Sequence, residues 1–104
     1  MPSESAFNHL NTHTWTTFRP GNEITGRDRP GIVLICCAET LHEPGRSNYR
    51  VLKIANAKND AASVALAFFK QQWDCEGGVY AQICLSDDPS LRAQICADLE
   101  PLCK

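Results

Sequence analysis

The apolar positions of this chain follow two spacings, and the shorter one predicts strands. Ile32 to Ala38 is a continuous apolar run, which is typical of a strand buried on both faces. Asn48 to Ala55 and Val79 to Leu85 alternate in polarity, so their successive side chains are expected on opposite faces of a sheet. Thr14 to Phe18 is rich in β-branched and aromatic residues and predicts another strand. Glu23 to Gly26 is a candidate for a short returning strand.

The longer spacing predicts a central helix from Ala61 to Trp73. Asn59 or Asp60 is suited to cap its N-terminus, and Gly77-Gly78 stops the chain from continuing as a helix. Four alanines between Ala61 and Ala67 raise the helix propensity and allow a close approach to a sheet. The predicted core-facing stripe consists of Ala62, Ala65, Leu66, Phe69 and Trp73.

A second helix is predicted near the end of the chain. Asp88 is a suitable N-cap, and Pro89 suits the first helical position because its missing N–H has no partner there. Pro101 is expected to end the helix. The predicted core-facing stripe consists of Leu91, Ile95, Leu99 and Leu102.

These elements predict a single α+β domain over residues 1–104. Its expected architecture is a mostly antiparallel sheet of four to five strands, with two helices packed on one face and the order β-β-β-β-α-β-α. Residues 1–13 are interpreted as an N-terminal arm or a short helix, because only Phe7 and Leu10 share a helical face there.

Composition and charge say more about where the protein works than about what activity it has. The chain is 43% hydrophobic, and its longest apolar run has the length of a strand rather than of a membrane helix. The N-terminal sequence lacks the pattern of a secretory signal, so we predict a cytoplasmic protein. The net charge of −2 gives no general support for nucleic-acid binding. Residues 1–58 hold seven Lys/Arg and five Asp/Glu, whereas residues 59–104 hold three and seven. This asymmetry reflects either chance or two oppositely charged faces.

The six cysteines are expected to be reduced. A cytoplasmic chain keeps its thiols free, and no C-x-x-C motif indicates a zinc site. Cys36, Cys84 and Cys96 lie among apolar residues and are interpreted as small core side chains. Cys75 and Cys103 are expected to be more exposed.

Few residues suggest catalysis. Cys37 ends a strand shortly before His42 and is the candidate reactive thiol, although a buried strand end is the simpler explanation of its position. His9 and His13 have the i, i+4 spacing of metal ligands, but no third ligand is identifiable. We therefore assign no catalytic residue, and predict no metal and no cofactor.

Basic residues near aromatic ones form the most suggestive polar set. Arginine together with aromatic side chains is typical of protein interaction hot spots, and also of platforms for single-stranded nucleic acid. Acidic residues interleave with this set, which disfavours nucleic acid, and solvated loops are the simplest alternative. The predicted partner-binding residues are Arg27, Arg29, Arg46, Arg50, Tyr49 and Trp15.

In size and element order the chain resembles the small orphan proteins of phages and mobile elements, which include anti-CRISPR and other anti-defence inhibitors. The resemblance implies a non-enzymatic protein that binds a partner protein and occludes its surface. A small cysteine- or histidine-dependent enzyme and a single-stranded nucleic-acid-binding module are the alternatives. An exposed edge strand would also allow a homodimer.

Overall fold

The computed structural model describes residues 9–10, 12–37, 50–75 and 77–103. Four strands form one antiparallel sheet in the spatial order β1-β4-β2-β3. The predicted α+β class, the mostly antiparallel sheet and the two helices are confirmed. Within the described residues, Glu23 to Gly26 is not a strand. In chain order the elements are β1 (Thr16–Phe18), β2 (Gly31–Cys37), β3 (Arg50–Ala57), α1 (Ala61–Phe69), β4 (Val79–Leu85) and α2 (Pro89–Leu99), followed by a 3₁₀ turn (Glu100–Leu102).

The central strand β2 organises two separate cores. Every residue of β2 is buried, as its continuous apolar sequence predicts. Its alternating side chains face two different helices. On one side Ile32, Leu34 and Cys36 pack with Ile95 and Leu99 of α2. On the other side Val33 and Ile35 pack with Ala61 and Ala65 of α1.

The helices therefore cover opposite faces of the sheet, which differs from the predicted placement on one face. The physical reason lies in β2 itself. A strand that is apolar on both faces must be covered on both, because either face would otherwise expose large aliphatic side chains to water.

Helix α1 begins as predicted but presents a different face. The Asp60 carboxylate caps it by accepting a hydrogen bond from the Ser63 N–H at 3.1 Å. The fully buried positions are Ala61 and Ala65, whereas Leu66 is 46% exposed. Small alanine side chains let the helix backbone lie close to the sheet, and this rotates the predicted stripe away from Leu66.

The same helix ends at Phe69 instead of Trp73. The Trp73 indole N–H donates to the Phe68 carbonyl oxygen at 2.7 Å, and the same oxygen accepts from the Gln71 N–H at 3.0 Å, so that a side chain joins the main chain in closing this helix end. The two rings also meet edge to face, with centroids 6.3 Å apart. Phe68 and Trp73 thus close the rim of the α1 core.

Helix α2 has the predicted cap, with the Asp88 carboxylate accepting from the Ser90 and Leu91 N–H groups and Pro89 in the first turn. Its predicted stripe is wrong at Leu91, which is 38% exposed. Arg92 is buried in its place and is only 5% exposed.

Hydrogen bonds make this burial of Arg92 tolerable. Its Nε donates to the Asn56 Oδ1 at 2.9 Å, and its Nη1 donates to the Ser86 carbonyl at 2.8 Å. The guanidinium thus joins α2 to the ends of β3 and β4.

A bulge in β3 changes which of its residues share a face. Ile35 pairs with Lys53 and Cys36 pairs with Val51, so that Leu52 is the extra residue. Val51 and Ile54 consequently both pack on the α2 side, although simple alternation predicts opposite faces for them.

Across the described residues, the structure contains no helix with the length and apolar character needed to cross a membrane.

Candidate functional site

The predicted arginine set does not form one patch. The Arg27 and Arg29 carbonyls accept hydrogen bonds from the Ala62 and Ala61 N–H groups, so this loop lies against the first turn of α1. Arg50 pairs with Cys37 at the opposite end of β2. A seven-residue strand spans about 20 Å, which separates the two groups of arginines.

Trp15 is the aromatic member of the set that lies within the described residues. The Trp15 indole N–H donates to the His9 carbonyl at 3.1 Å, and its ring packs against the α2 core. Trp15 therefore anchors the N-terminal segment. Arg46 and Tyr49 lie outside the described residues, so their predicted role is untested.

Arg29 makes an ion pair on the surface, with its Nη2 2.7 Å from the Asp87 Oδ2. Both side chains are more than half exposed, so water and salt screen this pair. Such a pair adds little stability, and it does not by itself mark Arg29 as part of a binding site.

The outer edge of β3 carries a row of positive charges. Arg50, Lys53 and Lys58, which we call the basic edge, are all exposed, and no acidic residue lies between them in sequence. The register places Arg50 beside Cys37 and Lys53 beside Ile35, so both side chains lie on the α1 face. The basic edge therefore combines clustered charge with a strand at the margin of the sheet.

Among the described residues, only the first part of the outer edge of β3 has a neighbour. Val51 forms a single parallel bridge with Cys103, whose thiol donates to the Leu52 carbonyl at 3.2 Å. From Lys53 to Asn56, the side of β3 that faces away from β2 has no ladder partner among the described residues. An edge of this kind offers main-chain N–H and C=O groups to another strand.

A disulfide joins Cys37 to Cys75, with Cα atoms 5.7 Å apart. The prediction that all six cysteines are reduced is therefore wrong for this pair, and Cys37 is not a free reactive thiol in this structure. The spacing of the cysteines in the sequence does not indicate this pairing, because the two are separated by 38 positions. They meet because α1 returns the chain to the end of β2. His42, the proposed companion of Cys37, lies outside the described residues.

The remaining four cysteines are free thiols. Cys36 and Cys84 are buried as predicted, whereas Cys96 is only half-buried. Burial raises the pKa of Cys84, Cys96 and Cys103, which keeps these thiols protonated at neutral pH. Protonated thiols are weak nucleophiles, so none of these three has the environment of a catalytic cysteine.

Tyr80 is equally unreactive. Burial, reinforced by the neighbouring Cys36 thiol, raises its pKa to about 12, although the Arg19 guanidinium lowers it in part. That guanidinium lies 5.8 Å from the ring centroid. The phenol is therefore neutral at physiological pH.

A hydrogen-bonded chain of three side chains links the N-terminal segment to α2. The His9 Nε2 lies 2.7 Å from the Asp98 Oδ2, and the His9 Nδ1 lies 3.1 Å from the His13 Nε2. The hydrogen bond from His9 and a second from Gln94 lower the pKa of Asp98. Sequence reasoning missed Asp98 because 89 positions separate it from His9.

The two histidines contact each other directly. Their rings are 14° from parallel with centroids 5.2 Å apart, and the facing nitrogens are within hydrogen-bond distance. The described residues contain no cluster of three or more metal-ligating side chains.

A cavity of about 180 Å³ lies beside β1 on the α1 face of the sheet. One wall carries the Arg27 guanidinium, whose Nη2 donates to the Thr16 Oγ1 at 2.8 Å and whose Nη1 donates to the Gly26 carbonyl at 3.0 Å. The same guanidinium lies 5.7 Å from the Phe18 ring centroid. The lining residues are Thr14, Thr16, Arg27, Ile83 and Leu85.

The chain matches no protein-family model, no curated protein and no solved structure.

Proposed function

We propose that this chain is a non-enzymatic binding protein that acts by occluding a partner protein's surface, and that the basic edge is where the partner docks. The observation that carries the proposal is the combination of Lys53 and Lys58 with the main chain between Lys53 and Asn56, which pairs with β2 on one side and has no ladder partner among the described residues on the other. Addition of a strand from a partner would satisfy those main-chain groups, while the lysines select its charge.

The chemistry of the basic edge favours an extended, acidic partner segment. Lys53 lies on the α1 face of β3, and Lys58 follows the end of the strand. An incoming strand with carboxylates at alternate positions would place them on one face, beside the Lys53 ammonium group, with Lys58 adding positive charge just beyond the end of β3. Complementary charge of this kind speeds encounter and rejects basic segments.

The same charges disfavour a homodimer through β3. An antiparallel pairing of two copies centred on Ile54 would place Arg50 opposite Lys58 in both halves. Like charges directly opposite each other destabilise a sheet, and lysines on an edge strand are a common device against self-pairing. A different protein is therefore a better partner for β3 than a second copy, while a homodimer elsewhere remains an untested prediction.

The predicted alternatives have less support. A cysteine-dependent enzyme needs a thiolate, whereas Cys37 is oxidised and burial raises the pKa of three free thiols. Single-stranded nucleic-acid binding remains a prediction that salt-dependent retention on single-stranded DNA would test. Inhibition of a defence complex rests on the resemblance to phage proteins alone.

A cytoplasmic location also remains a proposal. Cytoplasmic thiols are kept reduced, whereas the Cys37–Cys75 disulfide is typical of oxidising compartments. Trapping thiols by alkylation in intact cells distinguishes the two, because a cytoplasmic pool would show Cys37 and Cys75 mostly alkylated.

The binding proposal can be tested with a defined probe. A fluorescently labelled eight-residue peptide of alternating Glu and Val has the charge and period that the basic edge requires, and a Lys/Val peptide is its matched opposite. Fluorescence anisotropy measures the affinity of each for the oxidised protein. We expect saturable binding of the acidic peptide and none of the basic one.

Charge reversal then locates the site. The double variant K53E/K58E replaces two exposed attractions with repulsions, which together correspond to about 2 kcal/mol and a loss of affinity of more than tenfold. K70E makes the same change at the exposed C-cap of α1, outside β3, and is expected to bind with little change. Equal affinity of K53E/K58E and the parent protein would refute docking at β3.

A further inference from the structure

A second site lies at the opposite margin of the sheet, and it has the size of a small molecule. The cavity beside β1 has a volume of about 180 Å³. A cavity of about 150 Å³ is known to hold a benzene-sized ligand, so this one suits about six or seven heavy atoms. It therefore accommodates a metabolite fragment and is too small for a nucleotide.

The polar wall of the cavity offers donors. The Arg27 guanidinium has five N–H groups, of which two are used by Thr16 and by the Gly26 carbonyl. Because the Thr16 hydroxyl oxygen accepts from Arg27, its own hydrogen remains available to donate. Thr14 also lines the cavity and carries a further hydroxyl. Three of the lining residues thus carry hydrogen-bond donors.

The charge of Arg27 is not neutralised by any described residue. The ion pairs among the described residues join other groups, and the contacts of Arg27 are to a hydroxyl, a carbonyl and the face of the Phe18 ring. The ring faces the guanidinium and limits its movement, while the hydrogen bond to Thr16 fixes its orientation. A cation held in place without a carboxylate is suited to bind an external anion.

The remaining lining is apolar. Ile83 is buried and lies beside Thr16 across the β1–β4 ladder, and Leu85 also lines the cavity. A ligand with an anionic end and an aliphatic end would match both kinds of lining, whereas inorganic phosphate would leave the aliphatic surface uncovered. A planar carboxylate can accept two parallel hydrogen bonds from a guanidinium.

We propose that this cavity binds a small aliphatic carboxylate, with the carboxylate on Arg27, Thr14 and Thr16 and the branched tail against Ile83 and Leu85. Isovalerate has the required size and is the probe of choice. Isovaleramide has the same shape without the charge, and it separates recognition of the carboxylate from simple filling of an apolar space.

Titration followed by ¹H–¹⁵N NMR tests the proposal. We expect saturable shifts in the amide signals of Thr14, Thr16, Arg27, Ile83 and Leu85, and binding of isovaleramide at least tenfold weaker. Equal binding of the amide, or shifts that centre on another part of the chain, would overturn the assignment.

Variants then test the residues. R27Q removes the charge and is expected to abolish binding, whereas R29Q removes a neighbouring charge that does not line the cavity and is expected to bind like the parent protein. R27K keeps the charge and loses the fork, so it should bind between tenfold and a hundredfold more weakly than the parent. T16V keeps the shape of Thr16 and provides a second reading if R27Q does not fold. Unchanged binding by T16V and R27K together would contradict the proposal.

Discussion

The Cys37–Cys75 disulfide should be the largest single contribution to stability in this chain that a chemical treatment can remove. The bond closes a loop with a sequence separation of 38 residues. In the chain-entropy description, a loop of that length costs the unfolded state about 13 cal/mol/K, which corresponds to about 4 kcal/mol at 25 °C. Reduction should therefore lower the free energy of unfolding by about that amount.

Such a loss is a large fraction of the 5–15 kcal/mol that is ordinary for a domain. At roughly 4–8 °C per kcal/mol, the expected fall in Tm is about 15–30 °C. Cys75→Ser should reproduce the effect, because Cys75 is the less buried partner and tolerates the hydroxyl better than Cys37 would.

Urea unfolding with and without dithiothreitol measures the difference, and intact mass after alkylation establishes the oxidation state of each sample. C103S is the matched control, since Cys103 is a free, half-buried thiol. The substitution itself should lower the stability by much less than reduction does, and reduction should destabilise C103S by the same amount as the parent protein. A parent protein whose unfolding midpoint is the same in both redox states, with the disulfide confirmed by mass, would refute the reasoning.

Four further substitutions test the packing and the capping. Asp60→Ala should make the stability depend less on pH in the acid range. The Ser63 hydrogen bonds lower the pKa of Asp60 below 3.8, so the stabilisation by its carboxylate is present above about pH 4 and is lost as the pH falls through the folded pKa. Urea midpoints of the parent protein and the variant at about pH 5 and pH 3 would measure this difference. Leu66→Ala should change the free energy of unfolding by no more than about 0.5 kcal/mol, whereas Ile35→Ala should lower it by about 2–5 kcal/mol. If urea unfolding gave comparable losses for the two variants, the face assigned to α1 would be wrong. Gly31→Ala should cost about 1–3 kcal/mol by thermal unfolding, because the added Cβ would lie 2.5 Å from the Cys84 carbonyl oxygen, and an unchanged Tm would argue against the close β2–β4 pairing there.

Local features of the sequence predicted the fold most reliably. The bounds of β4 and the caps Asp60 and Asp88 are as expected, because alternation and capping depend on residues within one strand or one helical turn. The burial of β2 also follows from its own composition.

The predictions that are wrong concern features that depend on contacts between distant parts of the chain. Leu66 and Ala65 both fit a core-facing stripe, and only the close approach of α1 to the sheet selects Ala65. The bulge at Leu52 reverses the alternation of β3, which a pattern of period two cannot anticipate. The expectation that both helices share one face neglected the fact that β2 is apolar on both sides.

The candidate sites were the least predictable part. Arg27 and Arg50 were predicted as one set from their residue type, whereas the fold places them at opposite ends of β2. The contact of His9 with Asp98 crosses 89 positions, and the disulfide crosses 38, so neither leaves a local pattern. The charge of the basic edge was visible in the sequence, whereas its place at the margin of the sheet required the strand order.

Amide hydrogen exchange of the oxidised protein, with and without the acidic Glu/Val peptide, tests the role of the basic edge most directly. A strand added to β3 would bond main-chain groups between Lys53 and Asn56, so we expect slower exchange there in the parent protein and in K70E, and no change in K53E/K58E. Protection confined to β1, or none anywhere at a peptide concentration that saturates the anisotropy signal, would contradict docking at this edge.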